Sequence, residues 1–269
     1  MDQPSVAAAA MACSRRRETG FETMSMSVSD LTGFYGTPLG ARTRQVLLRA
    51  VRRLWPSLPG NRLLGVGFPF PLMEQYSSQV ERVFVFMFEN PGVIYWPHSR
   101  PNATALVDPG MLPLDDCSVN RILLVHALEA VNDPGGLLAE LWRILDPGGK
   151  MLLVTPNRRG IWARLDSTPF GFGQPFSAFQ LRSLLRENNF SIERWIETLY
   201  MPPFRKDYLL RSAPVWENIG GGFLLPFAGV HVVEVGKQLY RPVLVRSPAP
   251  ARRIPIFLPI PNPVGRAGI

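Results

Sequence analysis

The stretch from Leu112 to Asn157 constrains the fold more than any other part of this chain. RILLVHAL reads as a buried strand, and Asp133 then caps a helix whose first residue is Pro134. The fixed φ and missing N–H of proline suit that place. Leu137, Leu138, Leu141, Ile144 and Leu145 mark one face of the helix, and Asp146-Pro147-Gly148-Gly149 stops it. KMLLVTPN follows as a continuous apolar run, the kind of strand that is covered on both faces of a parallel sheet. Strands alternating with helices predict an open α/β sheet rather than a sandwich or a bundle.

The flanking sequence extends the pattern. Val46, Leu47, Ala50, Val51 and Leu54 predict an amphipathic helix over Leu39 to Trp55, stopped by Pro56. Arg62 to Gly67 is a short strand, and the β-branched and aromatic run Glu81 to Phe88 a second. Ser177 and Gln180 form a capping box that opens a helix reaching Leu185. Ser191 to Tyr200 and Val230 to Tyr240 are two late strands. The expected organisation is a disordered leader over 1–35, a folded domain over 36–245 and an extended Pro- and Arg-rich tail over 246–269. The patterned sequence starts just after Met24 and Met26, so either is a candidate start of translation.

Composition narrows the function classes. Of 269 residues, 46% are apolar, enough for a sizeable core. The two cysteines, Cys13 and Cys117, stand far apart and the three histidines are scattered, so neither a disulfide framework nor a CxxC metal site is indicated. A structural zinc is not expected, and no metal-ligating residues are assigned. The net charge of +8 belongs to the ends: residues 1–62 carry +5 and 237–269 carry +6, whereas 63–236 carry −3. Solvated flexible ends explain this more simply than a nucleic-acid face, although arginine tails can bind phosphates weakly. The longest apolar stretch, Gly220 to Val233, falls short of the ~20 residues of a membrane span. A cytoplasmic protein is expected.

From about Leu63 to Asn157 the order of elements resembles the class I S-adenosylmethionine-dependent methyltransferases, the type 11 group in particular. LPLDDCSVNRILLVHALEAVNDPGGLLAELWRILDPGGKMLLVTPN is similar to that family's stretch from its third to its sixth motif, and NRRGIWARLD…FGFGQPFSAFQL resembles its bacterial members. The resemblance implies a Rossmann-like, doubly wound, mostly parallel seven-stranded sheet with helices on both faces and an antiparallel last strand. It implies S-adenosylmethionine as cofactor, lying across the carboxyl ends of the strands. By position, Gly65, Val66, Gly67 and Phe68 form the cofactor loop, Glu89 grips the ribose, Asp108 reads the adenine, and Val125 and His126 lie beneath the cofactor.

This chain departs from the family at the loop. Where the family reads acid-x-Gly-x-Gly-x-Gly, it has Gly65 for the acid, then Gly67, Pro69 and Pro71. Proline cannot adopt positive φ and has no N–H to donate. Pro109 likewise follows Asp108 where a backbone donor is usual. His126 is the candidate catalytic group, able to accept a substrate proton, with a packed structural histidine as the alternative. Glu129 reads as a surface residue or helix cap, and Asp115–Asp116 as a solvated turn. Arg158, Arg159 and Arg164, with Trp162 and Asp166, form either an anion-binding cluster or a solvated loop, and Phe170, Phe172 and Phe176 either a lid or a small apolar cluster. Three functions stand open: methyl transfer to a small molecule, a methyltransferase-like scaffold or regulator that has lost cofactor binding, and binding of nucleic acid or an acidic partner through the arginine-rich ends. No specific nucleic-acid partner and no membrane are expected.

Overall fold

The computed structural model describes residues 26–89, 91–97, 101–165, 167–203, 216–217 and 227–239. The elements are α1 (Val28–Gly36), α2 (Pro38–Leu54), β1 (Arg62–Gly67), a single turn α3 (Phe70–Met73), β2 (Arg82–Met87), β3 (Thr104–Leu106), β4 (Val119–Val125), α4 (Pro134–Ile144), β5 (Leu145–Pro156), α5 (Ala178–Glu187), β6 (Phe190–Thr198) and β7 (Val230–Lys237). They build one seven-stranded sheet in the order β3-β2-β1-β4-β5-β7-β6. The neighbouring pairs from β3 through β5 are parallel, and β7 runs antiparallel to both β5 and β6. The order reverses between β1 and β4, the kind of switch point where α/β sheets bind ligands.

Two apolar layers clamp the sheet. On one face α2 lays down Val46, Leu47, Ala50, Val51 and Leu54, joined by Val28, Leu31 and Phe34 of α1. At about 1.5–3 kcal/mol for each large side chain, this stripe contributes far more than helix propensity. On the other face Leu137, Leu138, Leu141 and Ile144 of α4 pack with Leu181 and Leu185 of α5. At the β6–β7 edge the buried Glu234 accepts from Trp55 Nε1 at 2.9 Å and from Arg194 Nε. Burial alone would raise its pKa, but these two hydrogen bonds outweigh it and hold the carboxyl below its ordinary value.

Most predicted elements fall within a residue or two of their expected ends, and the caps of α4 and α5 form as the sequence implies. Three differences stand out. Residues 28–35, assigned to the leader, are helical: Ser27 caps α1 by accepting from the Asp30 N–H at 3.2 Å, and Val28, Leu31 and Phe34 are buried. The Asp146–Gly149 stretch ends α4 as expected, yet lies within β5 rather than before it. The short strand β3 carries no apolar run in sequence, because two of its three side chains are exposed. The expected tail and the first 25 residues lie outside the described residues, as do His98 and Asp166. Arg42, Arg44, Arg49, Arg52 and Arg53, however, stand on α2 and Arg62 on β1, so most of the N-terminal positive charge belongs to folded elements and not to a flexible end. Among the described residues no helix is long and apolar enough to cross a membrane, and no group of three or more His, Cys, Asp or Glu could hold a metal ion.

Candidate functional site

At the switch point β1 and β4 end side by side, with Gly67 in register with Val125. Gly67 turns the chain at φ 83°. A Cβ there would lie 2.4 Å from the Val125 carbonyl oxygen, so glycine is required by the close approach of β4. Phe68 N–H then donates to that same carbonyl at 2.7 Å. Pro69 starts the single turn of α3, and its ring together with the Met73 sulfur fills the space beside Gly65, within 2.6 Å of where a Cβ would stand. Gly65, Val66, Gly67 and Val125 are therefore enclosed in protein.

Phe68 is buried and stacks on Tyr35 of α1 at 6.0 Å between ring centres, with Phe70 edge-on at 5.2 Å. The helix that the sequence assigned to a leader thus covers the exit of β1. Ser27 followed by Asp30 three residues later is the capping pattern that could have revealed it.

The exit of β4 is polar. His126 adopts φ 49°, a left-handed conformation that is uncommon outside glycine. Its Nε2 lies 2.9 Å from the Tyr35 hydroxyl and its Nδ1 lies 3.4 Å from Glu129 Oε1. Burial first, and then the charge of Glu129, push the Tyr35 pKa well above its ordinary value. The Tyr35 hydroxyl and the His126 ring share this hydrogen bond, with Glu129 on the other side of the ring. Phe170 packs against the histidine ring at 5.0 Å. Glu129, expected on the surface, is 3% exposed. Spacing carried the signal for it: three residues after a strand-ending histidine, its side chain returns to the same side.

Three openings surround this core. Phe88, Glu89, Asp108, Pro109, Val131 and Leu137 border a cleft of about 340 Å³, so the two predicted acids do come together. Asp108 Oδ1 accepts from the Gly110 N–H at 2.8 Å, which fixes its turn. On the α1–α3 side Tyr35, Phe68, Phe70 and Trp96 border a second cleft of about 440 Å³. A small pocket of about 30 Å³ lies against His126 and Glu129.

The remaining candidates sort by contact. Asp116 pairs with Arg143 at 2.8 Å, and Arg143 also holds the Leu112 and Leu114 carbonyls, so the acid pair belongs to a structural turn. Arg158, Arg159 and Arg164 are exposed on the loop, while Trp162 is buried and donates to the Met201 carbonyl. Phe170 joins the aromatic core, Phe172 borders the small pocket and Phe176 packs on the opposite face of the sheet, so the three do not form one cluster.

A family model described as a methyltransferase domain matches residues 41–194, more than half of the chain. The chain belongs to the methyltransferase domain family. Solved structures share the fold at low identity. A methyltransferase of Thermotoga maritima, described as a possible histamine N-methyltransferase, is 18% identical with a TM-score of 0.55, covering 78% of this chain and 95% of its own. An S-adenosylmethionine-dependent methyltransferase of Aquifex aeolicus is 15% identical with a TM-score of 0.51, covering 78% and 98%. The [4+2]-cyclase SpnF is 20% identical with a TM-score of 0.50, covering 71% and 80%. No curated protein matches. A cyclase among the neighbours of this methyltransferase domain illustrates that the fold does not fix the reaction.

Proposed function

We propose that this chain is an S-adenosylmethionine-dependent methyltransferase that acts on a small molecule. The observation that carries this reading is the 340 Å³ cleft beside the switch point, where Glu89 and Asp108 meet apolar walls from Phe88, Val131 and Leu137. Those residues fit a nucleoside: apolar walls for a base and carboxylates for hydroxyl and amino donors. When bound, S-adenosylmethionine supplies an electrophilic methyl group on a sulfonium. Transfer of that methyl needs alignment and exclusion of water rather than a dedicated nucleophile on the protein. Tyr35 and Phe170 pack on His126, which stands at the exit of β4 as the candidate group for holding an acceptor proton.

Calorimetric titration with S-adenosylmethionine and S-adenosylhomocysteine tests the reading. One-to-one binding is expected, weakened about tenfold or more by the double change Glu89→Gln and Asp108→Asn. Absence of binding to a folded sample overturns it.

A second reading is favoured by the loop itself. Phe68 N–H is already bonded to Val125, Pro69 and Pro71 have no N–H, and Pro69 with Met73 fills the space beside Gly65. A protein that keeps the fold as a scaffold without its cofactor would show this arrangement, and the same titration separates the two.

A further inference from the structure

The Glu129 side chain makes no hydrogen bond that would explain its burial. Its side chain is 4% exposed, and neither carboxylate oxygen has a hydrogen-bond partner among the described residues. Burying a carboxylate that accepts no hydrogen bond is costly, because the group gives up water, and its polar neighbour here, His126 Nδ1, stands 3.4 Å away. The backbone nevertheless pins it in place. Its carbonyl accepts from the Gln174 N–H at 2.8 Å, and Gly173 approaches so closely that a Cβ would stand 2.2 Å from that oxygen.

The carboxylate borders the 30 Å³ pocket, whose other walls include Met26, Leu31, Pro91 and Phe172. That space holds one or two water-sized groups. The complement to a carboxylate among apolar walls at this size is a primary ammonium, compact and with three donors. Ala130 borders both this pocket and the Glu89–Asp108 cleft, so the two openings are neighbours. Gly65, across the switch point, offers no carboxylate, and its surroundings are filled by Pro69 and Met73.

We propose that Glu129 seats the α-ammonium group at the methionine end of the cofactor, a proposal that rests on the cofactor reading above. His126 acts as a positioning residue, its Nδ1 3.4 Å from the carboxylate.

The test is calorimetric and needs no turnover. S-adenosylhomocysteine carries the ammonium group; methylthioadenosine keeps the nucleoside and the sulfur but lacks the amino-acid end. The wild type binds S-adenosylhomocysteine more tightly than methylthioadenosine. Glu129→Gln weakens S-adenosylhomocysteine about ten- to hundredfold and leaves methylthioadenosine within about twofold. Without ligand, the variant melts at or above the wild-type temperature, since no hydrogen bond to the carboxylate is lost. Equal weakening of both ligands, no weakening of S-adenosylhomocysteine, or a lower melting temperature together with weaker binding of both ligands overturns the assignment. If methylthioadenosine binds the wild type as tightly as S-adenosylhomocysteine, the ammonium assignment fails while the cofactor reading stands. If neither ligand binds the wild type, both fall.

Discussion

Strands β1 and β4 leave the sheet side by side, and each turns through a left-handed residue, Gly67 at φ 83° and His126 at φ 49°. The same backbone manoeuvre serves opposite ends. At β1 it closes a loop on itself: Gly67 has no side chain to clash, Phe68 bonds to Val125, and aromatic rings cover the turn. At β4 a side chain with a Cβ is held in a conformation that costs it on the order of 1 kcal/mol, and the histidine projects between a tyrosine and a glutamate. Strain that packing could avoid is retained where polar groups converge on a pocket. In this chain the glycine turn is filled by protein, while the exit of β4 carries the polar groups.

The most severe way to break the comparison is at Gly67. Gly67→Ala drives a Cβ into a backbone carbonyl at 2.4 Å and also keeps an unfavourable φ, so a loss of about 3 kcal/mol or more is expected in urea denaturation. A near-neutral result would mean that the turn can relax and that β1 and β4 are not locked together there.

Next in size is the contrast with the other buried histidine. His231 lies 3.5 Å from Glu197, with Trp195 against its ring, and neither of its nitrogens is hydrogen-bonded among the described residues. Burial first, and then the charge of Arg182, lower its pKa from 6.5 to about 4. Between those values the unfolded chain binds the proton that the folded chain refuses. Stability is therefore complete above about pH 6.5 and falls as the pH drops toward 4, by about 3 kcal/mol from this group. Replacing His231 with Phe is expected to flatten that limb of the stability profile; an unchanged slope would show that His231 does not set it.

Smaller still is the Tyr35 hydroxyl. Tyr35→Phe keeps the ring stack on Phe68 and removes the hydrogen bond to His126, an expected cost of about 1 kcal/mol in thermal denaturation. A loss several times larger would mean that the bond anchors all of α1. The finest comparison sets His126→Asn against His126→Ala. Both remove the ring, but asparagine tolerates positive φ better, so it is expected to be the more stable by about 0.5 to 1 kcal/mol. Equal stabilities would show that the backbone strain at this exit is released on substitution.

Much of the fold was legible because it is written locally. Pro134 behind Asp133, Gln180 three residues after Ser177, and the unbroken apolar runs of β4 and β5 each state their own structure. Helix α1 was missed because its stripe is short, only Val28, Leu31 and Phe34, and helps cover a surface that no neighbouring sequence announces. The candidate site was legible in outline. Glu89 and Asp108 meet at one cleft as their positions implied, while Glu129 was misread as a surface residue. The sequence shows that an acid follows a histidine by three residues; it does not show that the segment around Gly173 comes back to bury that acid.

Local pattern therefore determined the helices, the strands, their order of alternation and the altered glycine turn, because caps, breakers and apolar periodicity act over a few residues. Tertiary structure alone decided that Pro69 and Met73 would fill the space beside Gly65, that Tyr35 would reach His126 from ninety-one residues away, and that the Glu129 carboxylate would be buried with no hydrogen-bond partner among the described residues. Those outcomes depend on which surfaces meet when the sheet closes, and the free energy of a buried polar group is set by its neighbours in space rather than in sequence.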